Sequence, residues 1–129
     1  MTEIRELIQE KLDEITTIDS GVPIPDHTVT EGVTYFGYQI QEDFMGNDFD
    51  NNYDMEVNVI GRLVRKMLSS ENTQQIMDEA VASLKAKFKE INFKYSYNDV
   101  SYESDTDNFC KILFKAQGRY CEIDDTFIV

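Results

Sequence analysis

The sequence predicts a single α+β domain over residues 1–129, built on a mainly antiparallel sheet of four to five strands with two helices on one face. Three observations lead to this prediction. Two segments repeat apolar residues at steps of three and four, which is typical of amphipathic helices. Several other segments alternate apolar and polar residues, which is typical of strands. The strands come in pairs, each pair preceded by a helix, so the expected order is αββαββ with a final strand or tail (β).

The first helix is predicted over residues 2–18, about four turns. Thr2 is placed to serve as its N-cap, and the turn residues 19–21 are expected to end it. Acidic residues occupy the side opposite the apolar stripe. That stripe consists of Ile4, Leu7, Ile8, Leu12, Ile15 and Ile18.

A connector and a hairpin follow. Pro23 and Pro25 are expected to hold residues 19–32 extended, with a short edge strand at 27–30. Residues 33–40 read as the first hairpin strand, and residues 54–64 as a second strand antiparallel to it. Between them, residues 41–54 read as a polar loop with five acidic residues and no basic one. On the first strand, one face is expected to carry Thr34, Phe36, Tyr38 and Ile40.

The second helix is predicted over residues 73–90, after a cap-rich start at 69–72. Its apolar stripe is expected to pack on the sheet rather than to bind a partner. The stripe consists of Ile76, Ala80, Leu84, Phe88 and Ile91.

The closing part of the chain reads as a second pair of strands. One strand is expected from Phe93 to about Glu103, and the next from Cys110 to Ala116, where Gly118 is expected to break it. The last ten residues, 120–129, end on an apolar run that either completes the sheet or adds a strand to a neighbour's open edge.

Charge is spread unevenly along the chain. Residues 1–60 hold fourteen acidic and two basic residues, a balance of −12, within a net charge of −13. Residues 61–94 stand at +3 and residues 95–129 at −4. A nucleic-acid reader needs a basic footprint, so this distribution argues against that class. It suits a protein that assembles with copies of itself, or one that lines a surface repelling phosphate.

No residue pattern points to catalysis, so the chain is not expected to be an enzyme. His27 is the single histidine and lies in the connector, and no glycine-rich phosphate loop is present. Cys110 and Cys121 are expected to be reduced thiols, although a bridge across neighbouring strands is an alternative. No metal or cofactor is expected.

The segment 48–59 was tested against the calcium-binding loop of helix–loop–helix proteins. Oxygen ligands stand at its first, third and fifth places, but Tyr53 replaces the required glycine and Val59 replaces the required glutamate. A solvated hairpin loop is therefore the favoured interpretation.

The lysines near the end of the second helix form the one candidate patch for nucleic acid. In a chain of net charge −13 they are expected instead to be a solvated helix end or a subunit contact. They are Lys85, Lys87, Lys89 and Lys94.

The acidic loop also carries large apolar side chains, which a loop surrounded only by water rarely does. A partner that buries them is therefore expected. The candidate interface, from this loop and the C-terminal run, is Glu42, Asp43, Phe44, Met45, Asp48, Phe49, Asp50, Tyr53, Asp54, Phe127, Ile128 and Val129.

The order of elements resembles that of the tail terminator and tail completion proteins of long-tailed bacteriophages and phage-tail-like particles. The resemblance covers nearly the whole chain and rests on a short first helix, a proline-bearing connector, a hairpin pairing 35–40 with 55–60, a long helix ending at 84–91 and a closing hairpin.

The resemblance implies a structural virion protein, assembled in the host cytoplasm, that forms a ring, commonly a hexamer. Such a ring caps the tail tube, ends tail growth and joins the tail to the neck. Its implied partners are further copies of the chain, the tube protein and the neck or head-completion proteins. DNA would pass through an acidic lumen without specific binding, and no membrane is involved.

A small acidic immunity or inhibitor protein is the alternative. Such a protein would use its carboxylates to occupy a basic partner, and it would remain monomeric or dimeric.

Overall fold

The structure, a computed structural model, describes residues 4–47, 53–66, 72–96, 109–121 and 126–128. Two α-helices, a short 3₁₀-helix and six strands make up this part of the chain. In chain order they are α1 (Ile4–Asp13), β1 (Ile18–Gly21), the 3₁₀-helix (Asp26–Thr28), β2 (Thr34–Asn47), β3 (Tyr53–Lys66), α2 (Thr73–Glu90), β4 (Lys94–Ser96), β5 (Phe109–Cys121) and β6 (Thr126–Ile128).

One sheet contains all these strands, in the order β1-β2-β3-β5-β4, with β6 also paired to β5. β1 runs parallel to β2, and the other pairs are antiparallel. Both helices pack on the same face of the sheet and share one hydrophobic core with it. The α+β prediction is therefore confirmed, including the antiparallel hairpin and the second helix.

The helix-covered face is packed with alternating residues of β2 and β3, and those of β2 are the ones that the sequence analysis placed on one face. Phe36 and Tyr38 on β2, and Val57 and Val59 on β3, have no exposed surface. From α2, the side chains facing them are Met77, Ala80, Val81, Leu84 and Phe88. Asn72 caps α2 by accepting a hydrogen bond from the backbone N–H of Gln75 at 3.1 Å, as the cap-rich start predicts.

The prediction that the first helix extends to residue 18 is wrong, because α1 ends at Asp13. The N–H groups of Glu14 and Ile15 bond back three residues, which tightens the final turn. Ile18 then begins β1 and remains buried. β-branched residues at 15–18 favour a strand locally, and pairing with β2 settles the choice.

The prediction of an edge strand at 27–30 is also wrong, because this segment forms a 3₁₀-helix followed by a turn. Its hydrogen bonds join the N–H of Thr28 to the carbonyl of Pro25 and the N–H of Val29 to that of Asp26. The connector therefore supplies its own local hydrogen bonds and does not form a strand there.

The predicted polar loop is mostly strand. β2 continues to Asn47 and β3 begins at Tyr53, with pairs recorded from Asp43–Glu56 to Asn47–Tyr53 and an irregularity near Phe44. Only residues 48–52 separate the strands, and they lie outside the described part of the chain. Cross-strand pairing thus overrides the polar composition on which the loop prediction rested.

Gly118 does not break the fourth strand, because β5 runs through it to Cys121. A Cβ atom at Gly118 would lie 2.3 Å from the ring of Phe93, and one at Gly61 would lie 2.3 Å from the ring of Phe36. Both glycines therefore provide room for an aromatic ring over the sheet. The segment 97–103, expected to extend the third strand, lies outside the described residues.

Candidate interaction surface

The predicted interface residues fall at two places on the sheet. Glu42 and Asp43 are exposed on β2, and Phe44 and Met45 continue the same strand. Tyr53 and Asp54 begin β3 directly across from that end. Asp48, Phe49, Asp50 and Val129 lie outside the described residues.

The strands of the β2–β3 hairpin are longer than helix α2. Each strand has 14 residues, or about 46 Å at 3.3 Å per residue. The 18 residues of α2 span only about 27 Å. Glu42 shares a face with the fully buried Tyr38 and is nevertheless exposed. We call this end of the hairpin, residues 42–47 of β2 and 53–54 of β3, the acidic arm. Its Glu42 and Asp43 are exposed on β2, whereas Met55, the next residue of β3, packs against the core.

Part of the C-terminal apolar run packs against its own domain. β6 pairs with β5, and the ring of Phe127 contacts those of Phe93 and Tyr120 at centroid distances of 5.1 and 5.5 Å. The sequence analysis left two roles open for this segment, completing its own sheet or adding a strand to a neighbour's edge. Phe127 takes part in the first of these. Ile128 follows it on the same strand.

The sheet face away from the helices is open over much of its area and carries basic residues. β5 alternates buried inward residues with outward ones. Lys115 and Arg119 are exposed on this face, and Arg62 of β3 lies diagonal to Lys115. Ile60 and Leu113, exposed by 40% and 42%, lie between them. Sequence analysis missed this surface, although the period-2 alternation in 109–121 would have placed these residues on one face.

The connector crosses part of the open face. Pro23 lies so close to the backbone of Gly37 that a Cβ there would be 2.9 Å from the Pro23 Cα. Beside it, a groove of about 280 Å³ runs between the connector and the sheet. Its lining includes Ile24, Ile60, Arg62 and Leu113.

A polar network joins α1 to the covered face. The Tyr38 hydroxyl donates to Gln9 Oε1 at 2.6 Å, and Gln9 Nε2 donates to Ser20 Oγ at 2.9 Å and Asp13 Oδ1 at 2.8 Å. The Arg5 guanidinium stacks over the Tyr38 ring at 4.5 Å. Burial raises the pKa of Tyr38, so the phenol stays protonated and keeps donating. These contacts fix α1 against β1 and β2.

The four lysines considered as a patch do not form one. Lys87 bonds Glu14 at 3.2 Å and Glu90 at 3.5 Å, and Lys11 completes this exposed cluster between the helices. The hydrogen bond between Lys87 and Glu14 lowers the pKa of the Glu14 carboxyl and raises the pKa of the Lys87 ammonium.

Lys85 and Lys94 lie at the β4 edge, separate from that cluster. The Lys85 ammonium lies 5.5 Å from the Tyr95 ring centroid, and Lys94 is exposed on β4.

Within the described ranges, no three His, Cys, Asp or Glu side chains are grouped to hold a metal ion. His27 is exposed on the 3₁₀-helix. The part of the chain with described coordinates also has no helix long and apolar enough to cross a membrane.

Cys110 and Cys121 are free and buried near opposite ends of β5, about 36 Å apart at the usual strand rise. The alternative of a bridge between them is therefore excluded, because bridged Cα atoms lie within about 7 Å. Burial also raises the pKa of Cys110, which keeps its thiol protonated.

Comparison of the chain with protein-family models, with curated proteins and with solved structures finds no match. The geometry described above is therefore the basis for a functional proposal.

Proposed function

We propose that this chain is a structural virion protein that forms a ring on the end of a phage tail tube, stops tube growth and joins the tail to the neck. The observation that carries the proposal is the acidic arm of the hairpin, in which β2, paired to β3, presents the exposed carboxylates of Glu42 and Asp43. An arm held by cross-strand hydrogen bonds can reach a neighbouring subunit or the tube with little loss of conformational entropy.

Electrostatics support the same role. A net charge of −13, concentrated in residues 1–60, repels a polyanion and would let DNA move through a ring without sticking. The exposed carboxylates of the arm belong to this acidic part of the chain. The basic residues of the open face offer a complementary surface for contacts between subunits.

Solution mass is the first test. Light scattering coupled to size exclusion is expected to show a species near six times 15.0 kDa, and electron microscopy is expected to show a ring at one end of tubes assembled from the tail tube protein of the same genome. A chain that remains monomeric at every concentration, and also leaves those tubes undecorated, would contradict the proposal.

An acidic inhibitor that binds a basic partner is the second candidate. It is favoured by the same exposed pair, Glu42 and Asp43, on a rigid arm. A monomer that captures a basic protein, with affinity falling steeply between 50 and 500 mM salt, would support this candidate over the ring.

A further inference from the structure

We propose that copies of this chain join edge to edge, with β4 of one copy lying antiparallel against the free side of β2 in the next. This inference rests on the proposed ring and specifies how its subunits would meet. The partner is a second copy of the chain, and the contact is an extension of the sheet.

The first argument is that, among the described strands, each end of the sheet has an edge with no further strand paired to it. β1 covers β2 only over residues 34–37. From residue 38 to 47, no strand in the described ranges pairs with the other side of β2. β4 likewise pairs with β5 alone among the described strands. Long open edges tend to associate with further strands unless something covers them.

The second argument is that the two edges lie at the same height across the sheet. Lys94 pairs with Gln117, Gln117 with Asn58 and Asn58 with Gln41, so Lys94 and Gln41 share one row. By the same registers, Tyr95 shares a row with Ile40 through Ala116 and Val59. Two edges that are aligned in the same rows of the sheet can join around a closed ring without any shift along the strand direction from one copy to the next.

Strand direction is the third argument. β2, β3, β5 and β4 alternate in direction across the sheet. Two copies placed side by side with the same face outward therefore bring β4 against β2 in antiparallel orientation, which continues the existing pattern. Neither copy has to be turned over.

Side-chain chemistry is the fourth argument. Tyr95, which is 39% exposed, would lie opposite the half-buried Ile40 of the next copy, and both would lose apolar surface to water. Lys94 would lie diagonal to Asp43, within reach of a long side chain. On the other face, Lys85 stacks on Tyr95 and would approach Glu42. One edge is thus acidic and the other basic.

A cysteine cross-link tests this geometry directly. Chains with Gln41→Cys and chains with Lys94→Cys are mixed in equal amounts and oxidised; both native cysteines are buried. We expect at least tenfold more disulfide-linked heterodimer than in a matched mixture of Gln41→Cys with Ala82→Cys, whose cysteine lies on the exposed side of α2. Equal yields would overturn the proposal.

Charge exchange gives an independent readout. Asp43→Lys and Lys94→Asp are each expected to weaken self-association at least tenfold, and the double variant D43K/K94D to restore it. Glu10→Lys, which makes the same charge change on an exposed position of α1, serves as the control and is expected to leave association unchanged. Failure of the double variant to recover would contradict a direct Asp43–Lys94 contact.

The outcomes separate this inference from the proposed function. A wild-type oligomer that is indifferent to both charge changes and gives no selective cross-link would overturn the edge contact and leave the ring standing. A cross-linked, charge-sensitive oligomer that never binds tube ends would support the edge contact and overturn the tail function. A wild-type chain that neither associates nor binds tube ends, together with cysteine variants that give no selective cross-link, would overturn both.

Discussion

The two faces of the sheet differ in almost every physical respect. The helix-covered face buries large side chains such as Phe36, Leu63 and Phe114, which have no exposed surface. Among the described residues, the connector is the segment that crosses the open face, and Ile60 and Leu113 remain partly in water there. The comparison shows that most of the buried apolar side chains lie on one side of the sheet, whereas the other side has only a small second cluster, Val29, Val64 and Phe109, among the described residues.

Truncation of a leucine on each face is expected to give the largest contrast. Leu63→Ala, at a position with no exposed surface, should lower the free energy of unfolding by about 3 kcal/mol. Leu113→Ala makes the same change at a position 42% exposed, and should cost less than about 1 kcal/mol. Urea denaturation followed by circular dichroism measures both, and equal losses would contradict the assignment of the core to one face.

A methyl group added at Gly118 is expected to have the next largest effect. Gly118→Ala places a Cβ 2.3 Å from the Phe93 ring and should destabilise the fold by about 2 kcal/mol. The same substitution in a Phe93→Leu background should cost clearly less, because the clashing ring is gone. An unchanged urea midpoint for the single variant would show that the strand does not need this glycine.

The two faces can also be compared through the hydrogen bonds of two tyrosine hydroxyls, one on each face. Tyr38, on the covered face, donates to Gln9, whereas Tyr35, on the open face, donates to the carbonyl of Val22. Tyr38→Phe should cost about 1.5 kcal/mol, because it leaves an acceptor unpaired in a buried site, and Tyr35→Phe about 0.5 kcal/mol. Thermal unfolding measures both, and the reverse order would contradict the difference in burial.

The exposed charge cluster between the helices is expected to have the smallest effect, visible only in its pH dependence. The pKa of Glu14 is lowered from 4.5 by its hydrogen bond to Lys87. The contribution of Glu14 to stability is therefore present above pH 4.5 and lost as the pH falls through the lowered pKa. Glu14→Gln should show a slightly lower urea midpoint than wild type at pH 6 and the same midpoint at pH 2.5.

Much of the covered face could be predicted from the sequence, because burial on one side leaves a period in the chain. The alternation of Phe36, Tyr38 and Ile40 and the helical spacing of Ala80, Leu84 and Phe88 give this face directly. The hairpin partner of the first strand was also predicted. The spacing of apolar residues is a local property of each element, and the hairpin joins two strands that are neighbours in the chain.

The candidate site was predicted less completely. The composition of their segment points to Glu42 and Asp43, but it predicts a loop there because acidic residues disfavour strands locally. The basic residues of the open face were missed, although their alternation along β5 indicates a shared face. The alignment of β4 with β2 in the same rows of the sheet depends on three strand registers at once, and no single segment contains that information.

By itself, the sequence determined the fold class, the second helix, the two faces of the hairpin strands and the acidic character of residues 1–60. Only the tertiary structure decided that Ile18 starts a strand, that Gly118 lies inside one, and that β5 lies between β3 and β4. The physical reason is that hydrophobic period reports which side of an element is buried, whereas neighbours, registers and edges depend on contacts between residues far apart in the chain.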